Sequence, residues 1–322
     1  MQIDAVITWV DGNDPAHKAR MAQYGKQSDF ARDDVAGSTR YASIGEIAWC
    51  IASINRFAPF IRKIHVVTDG QDPQLGEFLD RNFPEGHIPV EIVDHKEIFR
   101  GYEAYLPVFN SRAIETMLWR IPELSERYIY FNDDFLLTAP MTPEDFFTEE
   151  GVICYADKYR TLVTDLTRAW KTLRHRGQKQ VTFKGALRNA VAVAGGGGSF
   201  FLHYGHSPRA LLRSFYEEFF AKHPEALIRN IGHRFRDATQ FSTEQVQFIS
   251  LYRAGRCEVR KLDDLHFFFQ LKDKPHYLDR KLQKLEQGSY KFCCFNSLDK
   301  LTEADQKRVI DWIDRRLGIR TL

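Results

Sequence analysis

An apolar, β-prone run, Arg127-Tyr128-Ile129-Tyr130-Phe131, ends in Asn132-Asp133-Asp134 and then resumes as Phe135-Leu136-Leu137. The pattern reads as a buried strand that delivers an amide and two adjacent carboxylates at its carboxyl end. Ligands of open α/β sheets bind at that end, and paired carboxylates there suit a hard cation or the hydroxyls of a sugar. An ordinary Asn-Asp turn would leave the same letters. Two more strands end alike: residues 3–10 run into Asp11-Gly12-Asn13-Asp14-Pro15, and residues 63–68 into Asp69-Gly70-Gln71-Asp72-Pro73. In a parallel sheet Asp11, Asp69, Asp133 and Asp134 fall on one edge, which is stronger evidence than any one of them. A first strand ending in a carboxylate-rich loop is the usual first half of a nucleotide-sugar site.

Cations and a titratable base lie further on. In His203-Tyr204-Gly205-His206-Ser207-Pro208, Ser207 suits an N-cap and Pro208 the first helical position. A helix through Ala210, Leu211, Phe215 and Phe219 would leave His206 just before its N-terminus, where backbone donors attract anions. His233-Arg234-Phe235-Arg236 precedes a helix opened by Ser242-Thr243-Glu244-Gln245. An arginine there suits bidentate phosphate recognition, with a surface ion pair as the ordinary alternative. Glu115 sits on a helix around Arg112–Arg120, capped by Asn110 or Ser111. Asp4, inside the first strand, needs either a partner or an edge position.

The elements that must position these groups alternate. Ser43-Ile44-Gly45-Glu46 is a capping-box pattern opening a helix with Ile47, Ala48, Ile51 and Ile54 on one face and Pro59 as its stop. Residues 89–93 form a third strand ahead of Asp94-His95. Strand and helix alternate through residue 150, which predicts an α/β fold: a Rossmann-like, mainly parallel sheet flanked by helices, with a helical C-terminal part. The chain reads as a single catalytic domain, 1–150 the Rossmann-like half and 151–322 a helix-rich half that completes the site. Within the second half, residues 256–272 read as one strand, Lys291–Asn296 as another, and Thr302 opens a last helix with Val309, Ile310, Trp312 and Ile313 buried and Gly318 as its end. Residues 16–40 read as a polar surface segment, and Gly195–Gly198 as a hinge or loop. In residues 157–188, Lys158, Arg160, Arg168, Lys171, Arg174, Arg176, Lys179, Lys184 and Arg188 face only Asp157 and Asp165. The run reads as a solvated helical face, with an anionic acceptor or a membrane surface as the other reading.

Composition sets outer bounds. The 322 residues are 43% hydrophobic and 27% charged with a formal charge of +2, as in an ordinary globular chain without a nucleic-acid footprint. There is no GxGxxG and no P-loop. No signal peptide and no apolar stretch long enough to span a bilayer are visible. The cysteines at 50, 154, 257, 293 and 294 lack metal-type spacing and favour a reduced, cytoplasmic setting. Cys293 and Cys294 read as packing residues.

Four blocks together resemble the Stealth family of sugar-phosphate transferases, which includes bacterial capsular polysaccharide phosphotransferases and the catalytic part of the animal GlcNAc-1-phosphotransferase. The first is Ile3-Asp4 with Trp9-Val10-Asp11-Gly12-Asn13-Asp14. The second runs from Arg40-Tyr41 through Ala58-Pro59-Phe60, Thr68-Asp69-Gly70-Gln71, Leu106-Pro107 and Ser111 to Glu115, ending at Tyr130-Phe131-Asn132-Asp133-Asp134. The third is His206-Ser207-Pro208 with His233-Arg234-Phe235-Arg236, and the fourth Lys291-Phe292-Cys293-Cys294-Phe295-Asn296. The resemblance implies transfer of a sugar-1-phosphate from a UDP-sugar, UDP-GlcNAc by family habit, to a glycan hydroxyl. UMP is released and a phosphodiester link of a capsular or cell-surface polysaccharide is formed. Glu115, Asp134, His206 and Arg236 match the family's essential positions, and Asp4, Trp9 and Asn132 its donor site. Asp11, Asp69, Gln71, Asp133, Arg234 and Asn296 complete the expected substrate-binding set, with Mg²⁺ on Asn132 and Asp134. His206 is expected to be the general base because imidazole titrates near working pH; Glu115 and Asp134 are alternatives, and a phospho-enzyme on His206 is another route. Ser297 departs from the family's usual aspartate after Asn296. Expected partners are a nucleotide sugar and an oligo- or polysaccharide, in the cytoplasm, with peripheral association at the inner face of the membrane left open. The rival readings are a metal-dependent glycosyltransferase releasing UDP and a non-catalytic carbohydrate-binding protein.

Overall fold

The structure is a computed structural model and describes residues 2–25, 44–162, 165–166, 170, 181–196, 198–262, 265–272 and 276–321. Four parallel strands form its centre: β1 (Ile3–Thr8), β2 (Ile64–Thr68), β3 (Val90–Asp94) and β4 (Arg127–Asn132). After β5 (Phe135–Leu137), the second half supplies β6 (Val152–Arg160), β7 (Phe200–Tyr204), β8 (Arg209–Leu212), β9 (Cys257–Arg260), β10 (His266–Gln270) and β11 (Phe292–Asn296). The main sheet has the order β3-β2-β1-β4-β8, parallel except for the antiparallel β8, and two three-stranded sheets run β10-β11-β5 and β7-β6-β9. The mixed α/β, mainly parallel architecture is the expected one. The C-terminal half, however, is helix and strand together rather than chiefly helical.

β1 and β4 are buried almost end to end, which is why their sequences are continuous apolar runs and not alternating ones. The Glu46–Phe57 helix is the wedge between two cores. Ile47, Cys50, Ile51 and Ile54 pack with the main sheet, while Trp49 and Ala52 join Val309, Trp312 and Ile313 of the Glu303–Leu317 helix. That last helix begins at Thr302 and ends at Gly318, whose φ of +64° suits a residue without Cβ. No helix among the described residues is long and apolar enough to cross a membrane.

Several local expectations change. β1 stops at Thr8, and within the expected polar surface segment Pro15–Tyr24 forms a helix capped by Asp14. Residues 26–43, with Arg40, Tyr41 and the expected cap Ser43, lie outside the described residues; the backbone N–H of Ile44 donates to Glu46 Oε2 at 2.6 Å instead. The expected helix at 112–120 is a short helix, Ser111–Glu115, capped by Asn110, followed by a 3₁₀ turn. Residues 256–272 hold two strands, β9 and β10, in different sheets. Of the basic run, Arg188 pairs with Asp165, Lys158 donates to the Tyr252 hydroxyl and Lys184 lies over the Tyr159 ring. Arg168, Lys171, Arg174, Arg176 and Lys179 lie outside the described residues.

Asp4 is corrected most sharply. It is fully buried near the start of β1, about 13 Å along the strand from Thr8, and so at the opposite edge from the acidic turns. Its carboxylate accepts Arg62 Nε and Nη2 at 2.8 and 2.7 Å and the backbone N–H of Ser125 at 2.8 Å, with His65 Nε2 at 3.4 Å. Burial alone would raise its pKa, but the hydrogen bonds from His65, Arg62 and Ser125 hold it well below the usual range. Asp4 is therefore a lock between β1, β2 and the loop before β4, and does not reach the donor site. Asp4→Asn should cost about 3 kcal/mol of unfolding free energy in denaturant titration at neutral pH and leave donor affinity unchanged. Because the folded pKa is depressed, the wild-type advantage should be full above about pH 4 and fade as pH falls toward the lower folded value.

Candidate active site

The carboxyl ends of β1, β2 and β4 share one edge: Thr8 is in register with Val67 on β2 and Asn132 on β4, and Thr68 with Asp94 on β3. A cleft opens there, lined by Thr8, Trp9, Val10, His17, Val67, Asp69, His95, Val108, Phe109, Asn110, Ser111, Ile114, Asn132, Asp133 and Arg236. Trp9, Asp69, Asn132, Asp133 and Arg236 thus meet as the sequence led one to expect. Buried polar atoms in the cleft lack partners: Trp9 Nε1, His95 Nδ1 and Asn132 Oδ1. Buried groups of this kind cost free energy unless a ligand satisfies them.

Arg236 is delivered by a scaffold rather than by chance. Asn110 is buried, and its amide donates to the His233 and Phe235 carbonyls and to Gln240 Oε1, so residues 233–240 are bound down against the 109–111 segment. Arg236 Nη2 then donates to Ser111 Oγ at 2.8 Å. Arg234, expected to bind substrate, donates instead to the carbonyls of Tyr105 and Pro107 and lies over the Tyr24 ring; its work is to fasten the loop. Asp11 and Gln71 also serve the backbone. Asp11 Oδ1 accepts from Asn13 N–H, while Gln71 bonds Asp11 N–H, Asp11 O and Asp14 Oδ2. Asp69 lines the cleft with its carboxylate 3.3 Å from Arg20.

His206 is not at a helix N-terminus. Arg209-Ala210-Leu211-Leu212 pairs antiparallel with β4, all four residues are buried, and the helix begins only at Arg213. The sheet contact outweighs the Ser207-Pro208 capping signal, and Pro208, lacking an N–H, sits in the turn ahead of the strand. His206 lies in that β7–β8 turn. Its ring stacks on Phe268 at 4.7 Å, and its carbonyl lies 2.8 Å from His266 Nε2. Burial, then the neighbouring Arg209, His266, His203 and Arg236, push its pKa down to about 4. The imidazole is thus held below its ordinary range in the free protein, against the expectation of titration near neutrality.

The same turn brings in a residue that sequence reading missed. Arg209 is buried at the sheet edge, its Nη1 3.2 Å from Glu244 Oε1, with the rings of Tyr130, Phe135 and Tyr204 packed within 5.4 Å of its guanidinium carbon. Burial opposes its charge, yet Glu244, with the tyrosines and Glu115, raises its pKa. Glu115 faces this pair. Its Oε1 accepts from the Tyr130 hydroxyl at 3.3 Å, and that hydroxyl is 2.9 Å from Thr8 Oγ1 in the cleft wall. Burial and then Glu244 lift the Glu115 pKa to about 7, against the pull of Arg209, Arg236 and Arg112.

On the far side of Asn132-Asp133-Asp134, β5 pairs with β11 so that Cys294 stands opposite Phe135. The Cys294 thiol donates to Asp134 Oδ2 at 3.2 Å, so this cysteine is more than packing. Burial raises the Asp134 pKa while Cys294 and Asn296 draw it back; burial, then Asp134 and Glu46, raise that of Asp133 well above the usual range. Asn296, at the end of β11, therefore touches the site through Asp134. An oxygen-seeking divalent cation fits this edge: Asn132 Oδ1 and Asp134 Oδ1 are both buried without a hydrogen-bond partner, and the adjacent carboxylates repel each other.

Known proteins share these features. Residues 1–29 match Stealth protein conserved region 1 and residues 40–155 match Stealth protein conserved region 2. The chain is 33% identical over 325 residues to an exopolysaccharide phosphotransferase of Streptomyces coelicolor, covering 96% of this chain and 54% of that protein. It is 28% identical over 334 residues to a capsular polysaccharide phosphotransferase of Streptococcus pneumoniae, covering 95% and 93%. With a receptor polysaccharide phosphotransferase of Streptococcus oralis it shares 38% over 165 residues, 51% of this chain and 46% of that one. The chain thus spans about half the length of the first and third of these relatives. The crystal structure of the galactosyltransferase LgtC with donor and acceptor sugar analogs aligns over 99% of this chain and 97% of that one, at 11% identity and a TM-score of 0.49; this distant likeness in shape carries no function. With the first two conserved regions matched in order and relatives aligned along almost its whole length, the chain belongs to the Stealth family.

Proposed function

We propose that the chain is a single catalytic unit that transfers a sugar-1-phosphate from a UDP-sugar, UDP-GlcNAc being the first candidate, to a glycan hydroxyl. UMP leaves, and the new phosphodiester belongs to a capsular or other cell-surface polysaccharide. The observation that carries this reading is a cleft at the carboxyl edge of the sheet that brings the Arg236 guanidinium together with orphaned polar atoms of Trp9, His95 and Asn132, with the His206 imidazole within the field of Arg209 and Arg236. Guanidiniums suit the equatorial oxygens of a phosphoryl group in transfer. A base beside them suits removal of the acceptor proton.

On this reading the charges around the site divide the roles. Burial depresses His206 most and the nearby cations add to it; a diphosphate against Arg236 offsets that second part, so its basicity rises when donor is bound. The same negative charge drives Glu115 from about 7 further upward and protonates it. His206 is then the base in the working complex, and Glu115 a proton-bearing group that holds a hydroxyl or phosphate oxygen. Mg²⁺ held by Asn132 and Asp134 would supply charge neutralisation at the leaving phosphate. Trp9, Asp69, Asn132 and Asp133 line the donor's side of the cleft. All five cysteines are free and buried, which suits a reducing cytoplasm as the place of work.

Incubation with UDP-GlcNAc, then with other UDP-sugars, and a glycan acceptor should release UMP and give a new phosphodiester signal in ³¹P NMR. Release of UDP would replace this reading with an ordinary glycosyl transfer. His206→Ala should lower kcat by about 10²–10⁴-fold while the donor still binds. Donor affinity should weaken as pH rises through about 7, where Glu115 ionises and repels the diphosphate; Glu115→Gln should flatten that dependence in calorimetric titrations. An unchanged pH dependence in the variant would remove Glu115 from the donor's surroundings.

A further inference from the structure

Asp134, His206 and Cys294 converge from three separate segments: the end of β4, the β7–β8 turn and β11. One ligand atom from each lies within 4.8 Å of the others, and the Asp134–Cys294 pair is already at 3.2 Å. Ligand atoms around a tetrahedral zinc with bonds of about 2.0–2.3 Å stand roughly 3.3–3.6 Å apart. Closing the site therefore needs a shift of about 1 Å at the wider pairs, within the reach of a side-chain rotation at His206. The ring is supported on its face by Phe268, and its turn is held by the contact between the His206 carbonyl and His266. Asp134 Oδ1, the acceptor already noted beside Asn132, is buried without a hydrogen-bond partner, so this corner has room on its carboxylate for a ligand bond.

The geometry points to a second kind of metal site at this edge: Asp134, His206 and Cys294 bind a borderline divalent cation of the zinc type and thereby hold the transfer machinery shut. Donor chemistry separates it from the Mg²⁺ site. Magnesium takes oxygen ligands and leaves thiols alone, whereas a carboxylate, an imidazole and a thiolate form the three-ligand set of open zinc sites. On binding, the thiol proton of Cys294 leaves to solvent, and the Sγ–H···Oδ2 hydrogen bond gives way to bonds from both atoms to the metal. Arg209 and Arg236 oppose a cation here; the thiolate and the Asp134 carboxylate, with Asp133 beside them, outweigh that opposition. Occupation takes the imidazole lone pair out of use and claims Asp134. This inhibitory consequence rests on the phosphotransfer reading, while the binding itself does not.

The test uses the full chain, stripped of metal and without sugar nucleotide, so a failed transfer assay cannot affect it. Cobalt(II) added as a spectroscopic substitute should give one equivalent of binding and a near-ultraviolet thiolate-to-cobalt charge-transfer band, which zinc then displaces. Cys294→Ser should abolish the band and weaken zinc binding about 100-fold in competition with a chromophoric chelator, while magnesium affinity stays the same. Cys293→Ser should keep the band. Absence of the band in the wild-type protein overturns the proposal whether or not the variants fold. So does equal zinc affinity in wild type and Cys294→Ser.

Discussion

The buried ion pair between Arg209 and Glu244 is the constraint on which the site depends. Both side chains are almost wholly out of water, at 7% and 3% exposure, so neither could remain charged there without the other. Arg209 can meet Glu244 only if β8 lies antiparallel against β4, and that placement sets the turn that carries His206. Glu244 in turn belongs to the first turn of the Thr243–Arg253 helix, where its Oε2 accepts the Ser242 hydroxyl. One pair therefore joins the last strand of the main sheet, a helix from the second half and three aromatic rings. It also places a fixed positive charge where Glu115, Asp134 and His206 all feel it.

The small sheets have a comparable purpose. β5 is three residues long and begins directly after Asp134; its pairing with β11 brings Cys294 beside that carboxylate and Asn296 to the same corner. The Glu46–Phe57 helix packs against both β5 and the main sheet, with Ser53 Oγ accepting the Leu137 N–H at 3.1 Å. The acidic turn is thus clamped on both sides, between the cleft that holds Trp9 and the corner that holds His206. A rigid frame of this kind is what a reaction dominated by positioning requires.

The parallel core was legible in the sequence because its signals are local: apolar runs of strand length, each ended by Asp, Gly, Asn or Pro. Trp9, Asp69, Asn132 and Asp133 reach one cleft for the same reason, while Arg236 is brought there by the long-range bonds of Asn110. What the letters concealed was set by contacts between distant segments. Ser207-Pro208 is a sound capping signal, and it lost to burial of Arg209–Leu212 against β4. Arg209 was hidden with it, since an arginine among apolar letters discloses no partner until Glu244, thirty-five positions on, is packed against it. Asp4 and Arg234 lie in the right blocks but serve the frame, Asp4 because its place along β1 puts it at the opposite edge and Arg234 because the Tyr105 and Pro107 carbonyls engage it. Cys294 looked like filler, and only the β5–β11 pairing shows its thiol on Asp134.

The edge also carries less negative charge than a count of its aspartates suggests. Asp11 is folded into its own turn and Asp69 is beside Arg20. Asp133 and Asp134 have pKa values raised chiefly by burial, and Glu115 is poised near neutrality. Against them stand Arg209 and Arg236. Acids already compensated where they stand, together with Arg236, whose guanidinium lines the cleft and donates to the uncharged Ser111 hydroxyl, make an edge that welcomes a polyanion instead of repelling it. Such a balance suits the diphosphate of the proposed donor better than it suits the collection of cations alone. Burial is the first cause that keeps the His206 imidazole neutral, and the nearby guanidiniums add to it; on the proposed phosphotransfer reading, a phosphate set against Arg236 would relieve the second cause and leave the first in place.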